Sequence, residues 1–312
     1  MQNKRQIKQI VKYLIPTGLW SNIRKRRIIR DQANIAHLCD SYIEDYFHND
    51  EKLFVPKPKI DLFGKQIIWQ YWAQGFDGEL PEVVKCCLES VDKYKGNYEV
   101  IRLSDETISQ YVDIPDCIWA KRGHGFSVTA FSNILRLALL DTYGGLWLDS
   151  TVLLTGEIPD YLAENDYFMF QRDEDEINKK YWEGTYAYYF GWGNDFRVRV
   201  LTSIVYSKAG SRFIDDYLNL LLYVWKVNDC YPFYFTFQVL YNQLVASGMS
   251  ASACKIVNDC PPHCLMQIIN DPNAPFTIDE TLEKCTMHKL TYKELCVENF
   301  KTVISDINKR IR

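Results

Sequence analysis

The sequence predicts an α/β fold organised on a parallel sheet, and three observations predict it. Residues 66–106 run through strand, loop, helix, strand and helix patterns, the order that lays parallel strands side by side under crossing helices. Residues 127–154 repeat the theme as a cappable helix, a double glycine and an apolar strand. The chain has 312 residues, with 47% hydrophobic and 24% charged side chains, a composition that sustains a packed core and excludes a disordered chain. One large domain, or a domain with a small appendage, fits that length.

The N-terminal region reads differently from the rest. Residues 1–30 hold nine Lys or Arg and no Asp or Glu, which leaves 27 basic and 40 acidic side chains, a net of −13, for the remainder. That acidic body argues against nucleic acid as a partner. Ile7, Ile10, Val11 and Leu14 fall at helical spacing with basic residues on the other face. Such a helix can lie on an anionic membrane surface, or pack on the body with a solvated basic face. Arg24 to Arg30 open a second helical segment that Ser21 could cap, continuing through Ile35, Leu38, Tyr42, Ile43, Tyr46 and Phe47. Val55-Pro56-Lys57-Pro58-Lys59 then reads as a boundary. The expected division is a basic, amphipathic helical extension over 1–55 and a main domain over 60–312.

Gln66-Ile67-Ile68-Trp69-Gln70-Tyr71-Trp72 is an apolar strand, with Gly75 and Gly78 in the loop after it. Pro81 opens a helix to about Tyr94, Tyr98 to Leu103 forms a second strand, and Ser104-Asp105-Glu106 starts another helix. In parallel sheets, ligands bind beyond the carboxyl ends of strands near a switch in strand order. Tyr71 and Trp72 are therefore placed for a nucleobase, with core packing as the alternative.

Ser127 can cap a helix reaching about Tyr143, on which Thr129, Asn133 and Arg136 share a face. An amide and a guanidinium on a mostly apolar helix need partners; sugar hydroxyls or a neighbouring carboxylate would serve. Gly144-Gly145 ends the helix, Leu146-Trp147-Leu148 forms a buried strand, and Asp149-Ser150-Thr151 follows. An Asp delivered abruptly by a buried strand can hold a divalent cation, a ribose hydroxyl, or both. Val152-Leu153-Leu154 continues as strand.

Phe131-Ser132-Asn133-Ile134-Leu135-Arg136, followed by Tyr143-Gly144-Gly145-Leu146-Trp147-Leu148-Asp149-Ser150-Thr151, resembles the capsular polysaccharide synthesis family. That family is related to glycosyltransferases with sugar-binding DXD motifs, including yeast-type mannosyltransferases and clostridial glucosylating toxins. The Ile67 to Trp72 strand resembles their opening strand, and Met287-His288-Lys289-Leu290-Thr291 resembles their C-terminal element near the diphosphate. The likeness covers roughly residues 60–295.

The resemblance implies a GT-A fold, a single Rossmann-like nucleotide-sugar-binding domain, here with a helical C-terminal part. It implies that Asp149 contacts ribose and metal, and that Asn133 and Arg136 hold the donor sugar. His288 or Lys289 would face the diphosphate or metal, and Tyr71 or Trp72 would line a uracil site. Gly145, Trp147 and Ser150 complete the implied donor-binding set. The implied metal is Mn²⁺ or Mg²⁺, with Asp149, Thr151 and His288 as ligands. The chain departs from the pattern twice: Asn133 stands where many relatives have Asp, and Thr151 stands at the last Asp of DXD. A threonine hydroxyl is a weaker ligand than a carboxylate, which puts metal dependence in question.

The implied reaction moves a hexose from a nucleotide-sugar, such as a UDP-sugar, to a lipid-linked glycan in surface polysaccharide synthesis, with retention of configuration. The rival is a non-catalytic sugar-nucleotide-binding or assembly subunit, which the missing second Asp favours. A metal-dependent nucleotidyltransferase or phosphatase is disfavoured, because the sequence has no Gly-rich phosphate loop and no close set of three carboxylates.

No apolar run approaches the ~18–20 residues of a membrane-spanning helix, and no signal peptide is recognisable. The expected location is cytoplasmic, peripheral on the inner face of the cell membrane. The ten cysteines include no CxxC pair. Cys254, Cys260, His263, Cys264, Cys285 and His288 could attract zinc, but their spacing matches no familiar zinc module and scattered structural thiols are expected. Further along, Asp173 to Glu176 reads as a solvated loop, and Trp192 as a stacking platform or a plain turn residue. Helices are expected over 196–208, 211–227 and 234–247. Tyr234, Phe235 and Gln238 could border the acceptor side, and Asp215 and Asp216 belong on a helix surface.

Overall fold

The computed structural model describes residues 17–49, 52–251, 254–293 and 295–311, with side chains from residue 22 onward. The basic helix expected over residues 4–15 lies outside them. The main sheet has the order β2-β1-β3-β6-β5, where β1 is Ile67–Tyr71, β2 Glu99–Leu103, β3 Gly145–Leu148, β5 Tyr167–Gln171 and β6 Val200–Ser207. β1 runs parallel to β2 and β3, while β6 runs antiparallel to β3 and β5. The sheet is therefore mixed rather than wholly parallel. β4 (Val152–Leu154) leaves it to pair antiparallel with β7 (Met287–Lys289).

β1, β3 and β5 are almost wholly buried because both sheet faces are covered there. Ile67, Trp69, Tyr71, Trp147 and Met169 point into the larger core; Ile68, Leu146, Leu148, Phe168 and Phe170 point into a second core on the other face. The larger core holds residues of α1 (Thr17–Asn49), α4 (Val128–Tyr143), α6 (Arg212–Val227) and α7 (Thr236–Ser247). α2 (Glu82–Tyr94) closes the second face through Val91. The remaining helices are α3 (Asp116–Lys121), α5 (Lys179–Thr185), α8 (Pro261–Asn270), α9 (Ile278–Lys284) and α10 (Val297–Arg310).

α1 is part of the body. Ile28, Ala36, Cys39, Tyr42, Ile43 and Tyr46 sit in the main core, and Gln32 donates to the Tyr188 carbonyl while accepting from the Arg197 N–H. The described part of this helix starts at Thr17, so Ser21 lies within it rather than at an N-terminus. Ser104 starts no α-helix either. Thr107 Oγ1 accepts the Ser104 N–H and closes a turn that leads into a short 3₁₀ segment, Ile108–Gln110. The helix expected over 196–208 is mostly β6. Val200, Ile204 and Val205 are β-branched and buried, and pairing on both edges decides the conformation that periodicity alone misjudged.

α4 follows expectation. Ser127 Oγ accepts the Ala130 N–H at 3.1 Å, and the helix ends at Gly144 with φ 68°. Gly145 follows with φ 99°. A Cβ there would stand 2.5 Å from the Ile67 carbonyl oxygen, and one on Gly144 would stand 2.7 Å from the Ala209 nitrogen. The double glycine thus lets β3 enter between β1 and β6 with both backbones in contact. Gly145→Ala is expected to lower the unfolding free energy by more than about 3 kcal/mol, since clash and left-handed strain add. A urea midpoint close to wild type would show that β1 and β3 can part at no cost.

Candidate active site at the carboxyl end of β3

β1 lies between β2 and β3, so the strand order reverses at the β1–β3 crevice, where α/β sheets place ligands. Asp149 follows the last residue of β3 and its N–H donates to the Ser203 carbonyl of β6. Its carboxylate is a hub. Oδ1 accepts from Arg136 Nη2 and from Trp147 Nε1, each at 2.9 Å, and Oδ2 accepts from Lys289 Nζ at 2.9 Å.

Three separate elements supply these donors. Arg136 comes from α4, is 2% exposed, donates to Asn133 Oδ1 at 2.6 Å and lies over the rings of Trp147 and Phe237. Trp147 comes from β3 itself, two residues before Asp149, so its side chain leaves the same face of the strand. Lys289 ends β7 and also donates to Thr151 Oγ1 at 2.7 Å. Burial pushes the Asp149 carboxyl up, but Lys289 and Arg136 outweigh it and hold the pKa down at about 2. The carboxylate is thus ionised throughout the neutral range. Its contribution to stability is complete above the ordinary carboxyl pKa and is lost as pH falls through about 2.

The residues named from sequence fall into two groups. Asn133, Arg136, Trp147, Asp149, Thr151 and Lys289 form the connected cluster, with Asp149 28% and Lys289 26% exposed at the side chain. Ser150 is buried beside it and donates to the Tyr71 carbonyl, tying the loop after β3 to the end of β1. Gly145 and His288 do not join. Gly145 begins β3, at the end of the strand remote from Asp149, where its contact is with Ile67. His288 projects from β7 on the side opposite Lys289. It is fully buried, its Nε2 lies 3.0 Å from Thr155 Oγ1, and burial drives its pKa down to about 3.

Tyr71 ends β1 close by and belongs to a group that sequence reasoning missed. Its hydroxyl donates to Asp105 Oδ1 at 2.6 Å, and Arg122 Nη2 binds both Asp105 oxygens at 2.9 and 2.7 Å. Arg122 also rests on the faces of Trp119 and Phe131. Asp105 and Arg122 lie in loops, and no periodicity marks them. Trp72 is half-buried with its ring edge-on to Tyr292 at 5.4 Å. Trp192 is no open platform: it is buried, donates to the Asp173 carbonyl and lies under Arg172.

A divalent cation does not fit the donors present. Among the described residues no three His, Cys, Asp or Glu side chains group to hold one. Asp149 is the single carboxylate of the cluster, and both of its oxygens already accept from cations. The cysteine cluster makes no zinc site either. Cys264 and Cys285 donate to the carbonyls of Cys260 and Met287, and His263 Nδ1 lies 2.7 Å from the Asp259 carbonyl.

Fold and cluster together define an α/β protein with a charged side-chain cluster at a strand-order switch. The chain belongs to the capsular polysaccharide synthesis protein family, whose match spans residues 20–307. Among solved structures it is similar to one titled "PaToxG Glycosyltransferase", at 12% identity and a TM-score of 0.38, covering 72% of this chain and 80% of that one. A likeness that low carries no argument about the site. No curated protein matches the chain.

The geometry sets what removal of Asp149 does. Asp149→Ala would leave the buried Arg136 with only an amide partner, so a loss of about 3 kcal/mol of stability is expected. Thermal or urea unfolding checks this, and an unchanged midpoint would mean that Asn133 and the flanking rings suffice for the guanidinium.

Proposed function

We propose that the chain is a glycosyltransferase with a GT-A-type fold. In this reading it moves a hexose from a nucleoside-diphosphate sugar, such as a UDP-sugar, to a hydroxyl of a lipid-linked glycan in surface polysaccharide synthesis. The observation that carries it is the Asp149 hub at the β1–β3 switch, in a chain of the capsular polysaccharide synthesis family.

In the reaction the acceptor oxygen bonds to the anomeric carbon and its proton passes to the departing diphosphate. The bond from that carbon to the β-phosphate oxygen breaks, and its electron pair departs with the nucleoside diphosphate. Positioning and charge complementarity supply the rate enhancement. Asp149, ionised and part-exposed, accepts from ribose or sugar hydroxyls. Lys289 meets the diphosphate. Arg136 and Asn133 are too deeply buried to lead, so Asn133 holds Arg136, Arg136 holds Asp149, and the two present what edge they have to the sugar. Trp72 and Tyr71 flank the base.

The test is nucleotide release from UDP-, GDP- and CMP-sugars, with and without acceptor lipid. One donor should stand out, and Arg136→Met should reduce its turnover at least a hundredfold. Binding of a sugar nucleotide without turnover, acceptor present, would favour the non-catalytic subunit.

The same reading places the acceptor at a membrane. Among the described residues no helix is long and apolar enough to cross one. The start of α1 supports peripheral docking: Arg24, Lys25, Arg26, Arg27 and Arg30 are exposed, as is Ile23 at 46%. Lys25 is spanned to Glu183, and Arg27 and Arg30 to Asp31, in exposed pairs of little worth. Arg24→Glu with Arg26→Glu should cut sedimentation with phosphatidylglycerol vesicles at least fivefold, leaving phosphatidylcholine at background. Equal binding by wild type and variant would remove this surface from the reading.

A further inference from the structure

The cluster carries one carboxylate and two cations, the reverse of the balance a divalent ion requires. Asp149 Oδ1 is taken by Arg136 and Trp147, and Oδ2 by Lys289. Thr151, which stands at the last position of the motif, accepts from that same ammonium. The Lys289 nitrogen therefore sits between the first and last residues of Asp149-Ser150-Thr151.

Its placement is built into the backbone. β4 and β7 pair Val152 with Lys289, and the Leu290 N–H donates to the Thr151 carbonyl at 2.9 Å. An ammonium has three N–H donors; two are engaged by Asp149 and Thr151, and the side chain is 26% exposed. A diphosphate oxygen arriving at the end of β3 meets a fixed positive charge with a donor still to give.

Resting on the donor-binding reading above, we propose that Lys289 takes the part of the divalent cation, so that the diphosphate is bound and released without a metal. The charge that neutralises the leaving group is a side chain held by Asp149 and Thr151. Arg136 adds a second positive charge behind them, leaving the cluster at +1 before substrate arrives. A divalent ion entering this place would have to displace Lys289 from both partners and then sit beside two cations. At Thr151 a neutral hydroxyl stands where the motif has a carboxylate, and the ammonium of Lys289 beside it stands in the ion's place.

The test separates this inference from the reading beneath it by measuring nucleotide binding alongside metal binding. UDP, GDP and CMP are titrated into the full chain by calorimetry, in EDTA and in Mn²⁺. Mn²⁺ alone is followed by its free-ion electron paramagnetic resonance signal. One nucleotide should bind in EDTA within about threefold of its affinity in Mn²⁺, and the free-ion signal should stay unchanged. In EDTA, Lys289→Ala should weaken that nucleotide about a hundredfold with its melting temperature retained, and Lys289→Arg should recover most of the loss. Thr151→Asp combined with Lys289→Ala should restore binding only when Mn²⁺ is present. Wild-type binding that requires Mn²⁺ would overturn the role of Lys289 and leave the transferase reading standing. Full affinity of Lys289→Ala in EDTA would overturn it as well. Binding of no nucleotide in either condition would remove both readings together. Should Lys289→Ala fail to fold, the wild-type comparison in EDTA and Mn²⁺ still decides.

Discussion

One carboxylate ties this structure together. Asp149 is reached by α4 through Arg136, by β3 through Trp147 and by β7 through Lys289, so a single side chain joins segments that span residues 133–289. Arg136 could not stay buried without it: a guanidinium taken from water needs a paired charge, and burial alone drives its pKa downward. The aromatic faces of Trp147 and Phe237 complete the enclosure. The resulting group is anionic at its centre and cationic around it, which suits a ligand carrying both hydroxyls and phosphates.

What delivers the carboxylate is a close approach of backbones. β3 is only four residues long, and its entry is Gly144-Gly145, where any side chain would strike Ile67 or the turn after β6. Trp69 Nε1 donates to the Gly144 carbonyl at 2.9 Å, fixing the turn from inside the core. With its start pinned there and its length set, β3 must end beside Tyr71, and Ser150 closes the junction on the Tyr71 carbonyl. The glycine pair positions the cluster from the opposite end of β3.

Local signals in the sequence were sufficient for some parts and not for others. Ser127, the run from Val128 to Tyr143, the double glycine and the strand before Asp149 each carry their own chemistry, and the helix, turn and strand stand where that chemistry puts them. Pro81 likewise opens α2. β6 was illegible as a strand because its identity comes from two neighbours, β3 and β5, that lie far away in sequence. In the site, Asn133, Arg136 and Asp149 were legible because spacing places them near one helix face and one strand end. Asp105 and Arg122 were not, since each is a loop residue defined only by the other. Thr155 was missed for the same reason: its partner His288 comes from a strand 133 positions on.

The family resemblance offers His288 and Lys289 equally for a place beside a diphosphate, and adjacent strand residues cannot both take it. Side chains of a strand alternate, and a slip of one residue would exchange them. The register of a three-residue strand therefore decides whether an imidazole or an ammonium faces Asp149. That register is held at both ends: the Thr155 N–H donates to the Thr286 carbonyl, and the Leu290 N–H to the Thr151 carbonyl. Between them His288 is buried against Thr155, where a charged imidazole would be disfavoured, as its lowered pKa reflects. The slipped register would bury Lys289 in that apolar place instead, and an unpaired ammonium there is far costlier than a neutral imidazole. The interior behind β4 thus selects which cation the site receives.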